Sequence, residues 1–163
     1  MPESSPLRVL YICHDGEIFG SQNSLALIVS RATDLNVTPY VSIARSGPLN
    51  DQLAALPNIT VLSHKRLQWV KHDPRNLFQR IGDIASILIS AIPRSQHLAE
   101  VIRQHNIQLV HTNSVVSLEG ALAAFITGVP HIWHVRELFM EENPKLNMVF
   151  GRSLSRWLIQ TLS

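Results

Sequence analysis

The fold that this sequence predicts is α/β: a Rossmann-like, doubly wound parallel sheet with strand order 3-2-1-4-5. Three observations predict it. Five short runs of branched apolar residues are spaced along the chain, and stretches with helical periodicity lie between them. The first run, residues 7–14, is apolar on successive residues rather than alternating, as a central strand buried on both faces is. Hydrogen-bonding corners such as His111-Thr112-Asn113-Ser114 stand where the fourth and fifth runs end, at the carboxyl edge where open α/β sheets bind ligands.

Taken in order, residues 7–14 (LRVLYICH) form strand one, and residues 15–20 a polar loop with two glycines. A helix follows from Ser21, which is placed to cap it, with Leu25, Ile28 and Val29 on its inner face. Residues 37–44 form strand two, Ser46-Gly47-Pro48 a turn, 49–56 a short helix and 58–63 strand three. The segment 64–80 carries Lys65, Arg66, Lys71, Arg75 and Arg80 against Asp73, with Trp69 and Phe78 interleaved. It reads as a solvated loop, slightly ahead of a contact with anionic lipid headgroups. Residues 76–92 are helical, and Pro93 suits the first turn of a further helix ending near Asn106. Strand four is 107–111, and a helix over 115–127 is stopped by Gly128. Strand five is 131–134, and 145–162 a last amphipathic helix. Right-handed crossovers place the switch point between strands one and four, where the loop ending in Gly20 faces the 111–114 corner.

Composition bounds the function. A chain of 163 residues has room for one domain with a proper core. Its net charge of +2 is too small to imply a nucleic-acid surface. The single cysteine, Cys13, lies in an apolar run and reads as a small buried hydrophobe. Residues 1–6 lack the basic head and apolar stretch of a signal peptide. Residues 84–92 are too few to cross a bilayer, and 115–133 are interrupted by Glu119, Gly128 and Pro130. The expectation is a soluble, cytoplasmic protein, with peripheral contact at the inner membrane face left open.

Neither dinucleotide-binding nor phosphate-loop glycine patterns occur after strand one. Gly20, Ser21, Gln22 and Asn23 nonetheless sit at a helix N-terminus, where unpaired N–H groups favour a phosphate or a sugar hydroxyl. An ordinary turn glycine with a serine cap is the plainer reading of them. His111, Asn113 and Ser114 suit either a ligand corner or a helix start. His134 stands at the end of strand five with Arg136 and Glu137 just beyond, a placement suited to orienting a hydroxyl or phosphate, or exchanging protons with it. His131, His134 and Glu137 recur every third residue, but on a strand they fall on alternate faces and do not converge on one metal ion.

Several of these runs together resemble a known family. Tyr11-Ile12-Cys13-His14 leading to Phe19-Gly20-Ser21-Gln22, then Leu109-Val110-His111-Thr112-Asn113-Ser114, Gly120-Ala121-Leu122-Ala123-Ala124, and Gly128-Val129-Pro130-His131-Ile132-Trp133-His134-Val135-Arg136-Glu137, resemble the N-terminal domain of family 4 glycosyltransferases. The resemblance implies one half of a two-domain GT-B architecture, the acceptor-side half. It implies transfer of a glycosyl group from a sugar-nucleotide co-substrate to a glycan, lipid or small-molecule hydroxyl, with retention and without a metal or bound cofactor. Gly20, Ser21 and Gln22 would then line the cleft near the donor phosphates, and His134 would lie beside the reacting sugar. Phe19 and Gln22 depart from the paired glycine and acidic residue common in that loop. Residues 1–163 would be truncated before the domain's last strand and lack the donor-binding domain, which a longer chain or a partner chain would supply. Alone, the half would be inactive. A non-catalytic binding module or a truncated remnant is the alternative.

Overall fold

The computed structural model describes residues 5–67, 69–71, 76–136 and 147–163. The chain runs β1 (Leu7–Cys13), α1 (Gly20–Ser30), a 3₁₀ turn (Thr33–Leu35), β2 (Val37–Ile43), α2 (Pro48–Ala54), β3 (Thr60–Ser63) and β4 (Val70–Lys71). It continues as α3 (Leu77–Gln104), β5 (Leu109–Asn113), α4 (Glu119–Thr127), β6 (His131–His134), β7 (Asn147–Met148) and α5 (Arg152–Thr161). Five strands make an all-parallel sheet ordered β3-β2-β1-β5-β6, while β4 and β7 pair antiparallel in a separate ribbon. With the ribbon set aside, the order is the expected 3-2-1-4-5.

Because side chains alternate along each strand, the two faces of β1 bury different residues. Val9, Tyr11 and Cys13 pack with Leu25, Ala26 and Val29 of α1 and Leu49 and Leu53 of α2. Leu10 and Ile12, with Val110 of β5, pack against Leu98, Ala99 and Ile102 of α3 and Ala123 and Ala124 of α4. Gly120 permits that second layer to close, since a Cβ there would lie 2.5 Å from Thr112 Oγ1 and 2.9 Å from Ile12. A third cluster joins Leu67, Trp69, Val70, Ile87, Val115, Val149 and Leu162.

Five expectations are corrected. The stretch 64–80 is not a solvated loop throughout, because Leu67, Trp69 and Val70 are buried in the third cluster. The Trp69 indole N–H donates to the Val115 carbonyl at 2.6 Å, and its ring stacks 6.0 Å from Trp133. The two helices expected around Pro93 are one 28-residue helix, α3. Proline costs a ladder bond there, but Ile87 before it and Ser95, Leu98 and Ala99 after it are all buried, so packing holds the helix through the break. The helix expected from 115 begins at Glu119, after buried Val115 and Val116 have entered the core. Finally, α1 is capped by Phe19 rather than Ser21, and its inner face is Gln22, Leu25, Ala26 and Val29, with Ile28 exposed. The last helix covers only the latter part of the expected 145–162 span. Among the described residues, no helix is long and apolar enough to cross a membrane.

Candidate functional site

The sheet register decides which side chains meet. Cys13 is opposite Asn113, and Asn113 opposite His134, so the last residues of β1, β5 and β6 lie in one row at the carboxyl edge. Two residues back, on the same faces, stand Tyr11 and His111. Sequence spacing alone does not reveal that row.

Asn113 is its centre and is fully buried. Its amide Nδ2 donates to the Ser21 carbonyl at 3.1 Å, and its Oδ1 accepts from Arg136 Nε at 2.9 Å. Arg136 Nη2 also lies 3.4 Å from His134 Nδ1. A guanidinium only donates, so Nδ1 is the accepting atom of that contact. Hydrogen bonds thus connect the first turn of α1, across the switch point, to His134.

The first turn of α1 is chemically open. Phe19, at the N-cap, has no side-chain acceptor, and no side-chain cap bond forms. The early N–H groups of a helix have no intrahelical carbonyl, and here Gly20, Ser21 and Gln22 occupy those positions. Gly20 is exposed, and a Cβ added to it would meet nothing within 4 Å. Packing therefore does not require glycine there. Gln22 is buried, with Oε1 accepting from Ser21 Oγ at 2.6 Å and Nε2 without a partner among the described residues. Asn23 is exposed, its N–H bonded to the Phe19 carbonyl at 2.9 Å.

His111 lies within β5, two residues short of its end, rather than at the corner. Its ring is 5.2 Å from Tyr11 and 5.5 Å, edge-on, from His134. Burial, with the positive field of His134 and Arg136 added, lowers its pKa to about 4, so it stays neutral near pH 7. Ser114 turns the chain out of the strand at φ 103°, a strained value for a residue with a Cβ. Its N–H donates to the His134 carbonyl at 3.0 Å, and its hydroxyl accepts from the Val116 N–H at 3.3 Å. Ser114 is thus a structural pivot between β5 and β6. His131, three residues before His134, has other partners: Nδ1 is 2.7 Å from the Leu162 carbonyl and Nε2 is 2.9 Å from Thr112 Oγ1. The structure therefore brings together Ser21, His111, Asn113, His134 and Arg136. Glu137 lies outside the described residues.

Two further polar assemblies at this edge were missed. Asp15, just past β1, receives Arg45, just past β2, at 2.7 and 3.3 Å, and its Oδ1 also accepts the Glu17 N–H at 3.0 Å. The backbones of the two loops touch, since a Cβ on Gly16 would lie 2.5 Å from Gly47 N. The rule that singled out His134, a polar residue just past a strand end, also selects Asp15 and Arg45 when applied to the first two strands. The second assembly is entirely buried. His64 places Nδ1 2.9 Å from Ser42 Oγ and Nε2 2.9 Å from Glu119 Oε1, while Glu119 Oε2 accepts the Leu67 N–H at 3.1 Å. Serine, histidine and glutamate in that order suggest a nucleophilic triad, but Ser42 is inaccessible to any substrate, so the group serves as an internal brace. The separations of 22 and 55 residues gave no local signal for it.

No protein-family model and no curated protein matches the chain. Among solved structures it is similar to a glycosyltransferase from Rickettsia africae ESF-5, at 17% identity and TM-score 0.55, over 80% of this chain and 30% of that one. It is also similar to TcCGT1 in complex with UDP, at 13% identity and TM-score 0.54, over 97% of this chain and 42% of that one. The chain thus spans less than half the length of either protein. Likeness at such identities shows the fold: a Rossmann-like α/β sheet of the kind found in these larger proteins.

Proposed function

We propose that the chain is the acceptor-side half of a GT-B glycosyltransferase of the family 4 type, working with retention, without a metal, on a sugar-nucleotide donor. The observation that carries this reading is the hydrogen-bonded path from the uncapped first turn of α1 through Asn113 to Arg136 and His134. It fixes an anion-favouring helix start and an imidazole at one crevice, as glycosyl transfer from a nucleotide diphosphate asks. UDP, present in the TcCGT1 complex, is the leaving group of one class of such donors.

In this reading Gly20, Ser21 and Gln22 offer N–H groups to phosphate or hydroxyl oxygens, and Gly20 allows close approach to the backbone. His134 positions a hydroxyl of the reacting sugar or acceptor. Arg136, held by Asn113, fixes the imidazole and lends positive charge to the crevice. Ser114 sets the backbone geometry of the pocket, and Asn23 and Glu137 belong to its rim. The donors that stabilise the departing diphosphate come from a second domain, in the same chain or a partner. The acceptor is a glycan, a lipid or a small molecule, and the working compartment is the cytoplasm.

The test uses the gene product that includes any frame continuing past Ser163, assayed for transfer from a panel of UDP-, GDP- and dTDP-sugars. His134→Ala should lower kcat by about 10²-fold or more with the melting temperature unchanged. Chelation should leave the rate unaffected, and the product should keep the donor's anomeric configuration. A product that binds a sugar or nucleotide equally well with and without His134, and never turns over, would instead be the non-catalytic module.

A further inference from the structure

Between Asp83 and Arg94, the polar residues of α3 are Asp83, Ser86, Ser90 and Arg94. Their spacing places them on one stripe of the helix. On an ordinary surface helix such a stripe faces solvent. Here it is the opposite side that meets solvent most fully, with Ile81, Leu88, Ile89 and Ile92 exposed. The polar stripe instead lines, together with Arg66, a cavity of about 310 Å³. The buried Leu67 and Ile87 complete its wall. That volume lies at the lower end of the range for small-molecule sites.

Arg66 is the residue of this cavity whose needs the protein leaves unmet. Its side chain is half-buried, and its Nε is shut off from solvent with no hydrogen-bond partner. Among the described residues its guanidinium forms no ion pair. Glu119 and Asp15 act on it from a distance, and both are already engaged, Glu119 by His64 and Leu67, Asp15 by Arg45 and Glu17. Burial outweighs their pull and lowers the Arg66 pKa below the usual guanidinium value. A partly dehydrated cation without an anion is costly for a fold to keep. Violations of this kind concentrate where a ligand supplies the missing partner. Arg94 brings a second guanidinium to the same wall, tied in place by donating to the Arg66 carbonyl.

The lining selects the ligand. Two guanidinium groups and the Ser86 hydroxyl offer donors from two segments of the chain, which suits a tetrahedral oxyanion better than a planar carboxylate. Ser90 donates its proton to the Ser86 carbonyl, so towards the cavity it accepts, as the Asp83 carboxylate does. Those acceptors favour an oxyanion that still carries a proton. A phosphate group, whose second pKa lies near neutrality, can carry one, and sulfate cannot.

We propose that this cavity binds a phosphate group, held by Arg66, Arg94 and Ser86, with Asp83 and Ser90 accepting from its hydroxyl. The group is inorganic phosphate or the phosphate of an organic monoester. None of these residues belongs to the Asn113 network, and the proposal stands whether or not the chain is half of a glycosyltransferase.

The experiment titrates the full chain with inorganic phosphate, glycerol phosphate and sulfate. It reads the melting temperature and the Arg66 Nε–H signal in NMR, which burial protects from exchange with water. One or both phosphates should shift that signal and raise Tm at millimolar concentration, and the tighter of the two identifies the source. Sulfate should bind more weakly. Ser86→Asp sets a fixed carboxylate beside the two guanidinium groups, so it should raise the ligand-free Tm and weaken phosphate binding by about tenfold or more. Ser86 is exposed on the helix, so that variant folds. Arg66→Met keeps the length without the charge. It should abolish the phosphate response with Tm equal to wild type or higher, whereas an arginine with a purely structural role would lose stability. The proposal is overturned if neither phosphate moves the Arg66 signal, if sulfate binds as tightly as phosphate, or if Ser86→Asp responds to phosphate like wild type. Loss of stability in Arg66→Met with the phosphate response intact overturns it equally.

Discussion

Replacing Glu119 by alanine removes the acceptor from two buried donors at once. A carboxylate only accepts, so the His64 ring nitrogen 2.9 Å away and the Leu67 N–H 3.1 Å away both donate to it. The side chains of His64 and Glu119 have no solvent exposure, so water cannot take the place of the lost oxygens. A buried orphan donor costs about 1–3 kcal/mol, and the substitution leaves two of them. The variant should therefore lose about 3–5 kcal/mol, or about 10 °C in Tm for a chain of this size. The matched controls are Glu119→Gln, which keeps one acceptor oxygen and should lose less, and Ser42→Ala, which should lose about 1 kcal/mol. Urea titration followed by circular dichroism and tryptophan fluorescence measures all three, with the Ser42–Glu119 double variant closing the cycle. If Glu119→Ala unfolds within about 1 kcal/mol of wild type, the buried brace does not hold β2, the segment after β3 and α4 together.

Acid should destabilise the fold through His111 and His131, both lowered to about 4 by burial. The unfolded chain takes up these protons first, so the stability they give is present above pH 6.5 and is lost as pH falls toward 4. Between pH 7 and 5 that is about 1 kcal/mol per histidine after discounting for partial exposure, and His131→Gln should flatten the pH dependence by that amount. An unchanged pH dependence in that variant would contradict the assignment. Gly16→Ala should cost about 1–3 kcal/mol, because its Cβ would meet the Gly47 and Arg45 backbones at 2.5 and 2.6 Å. Gly20→Ala, with open space around it, should be neutral within about 0.5 kcal/mol. Asn113→Ala should cost about 2 kcal/mol and remove one partner of Arg136, which a changed His134 ring signal in NMR titration would report, whereas Arg136→Ala should alter that signal and cost about 1–3 kcal/mol through the buried Asn113 oxygen it leaves unpaired.

The sequence by itself determined the layer architecture. The continuous apolar run at β1 reads as a strand covered on both faces, and alternating strands and helices with right-handed crossovers suggested the strand order that the sheet has. It also placed His134 and the start of α1 on the carboxyl edge of the sheet, because residues where a strand ends or a crossover helix begins have to lie there. Tertiary structure decided which residues at that edge are partners. Cys13, Asn113 and His134 form one row through inter-strand register, and the 92-residue separation of Ser21 and Asn113 is closed by strand pairing. Burial was legible only where a periodic pattern signalled it. Trp69 sits in a basic, irregular stretch, and Glu119 and His64 are polar, so local composition read as solvated what the core in fact encloses. The exposed face of α3 is the converse case. Its isoleucines and leucines look like core in sequence, and only the packing of Ile84, Ile87 and Ala91 shows that the core takes the adjacent arc and leaves this one exposed.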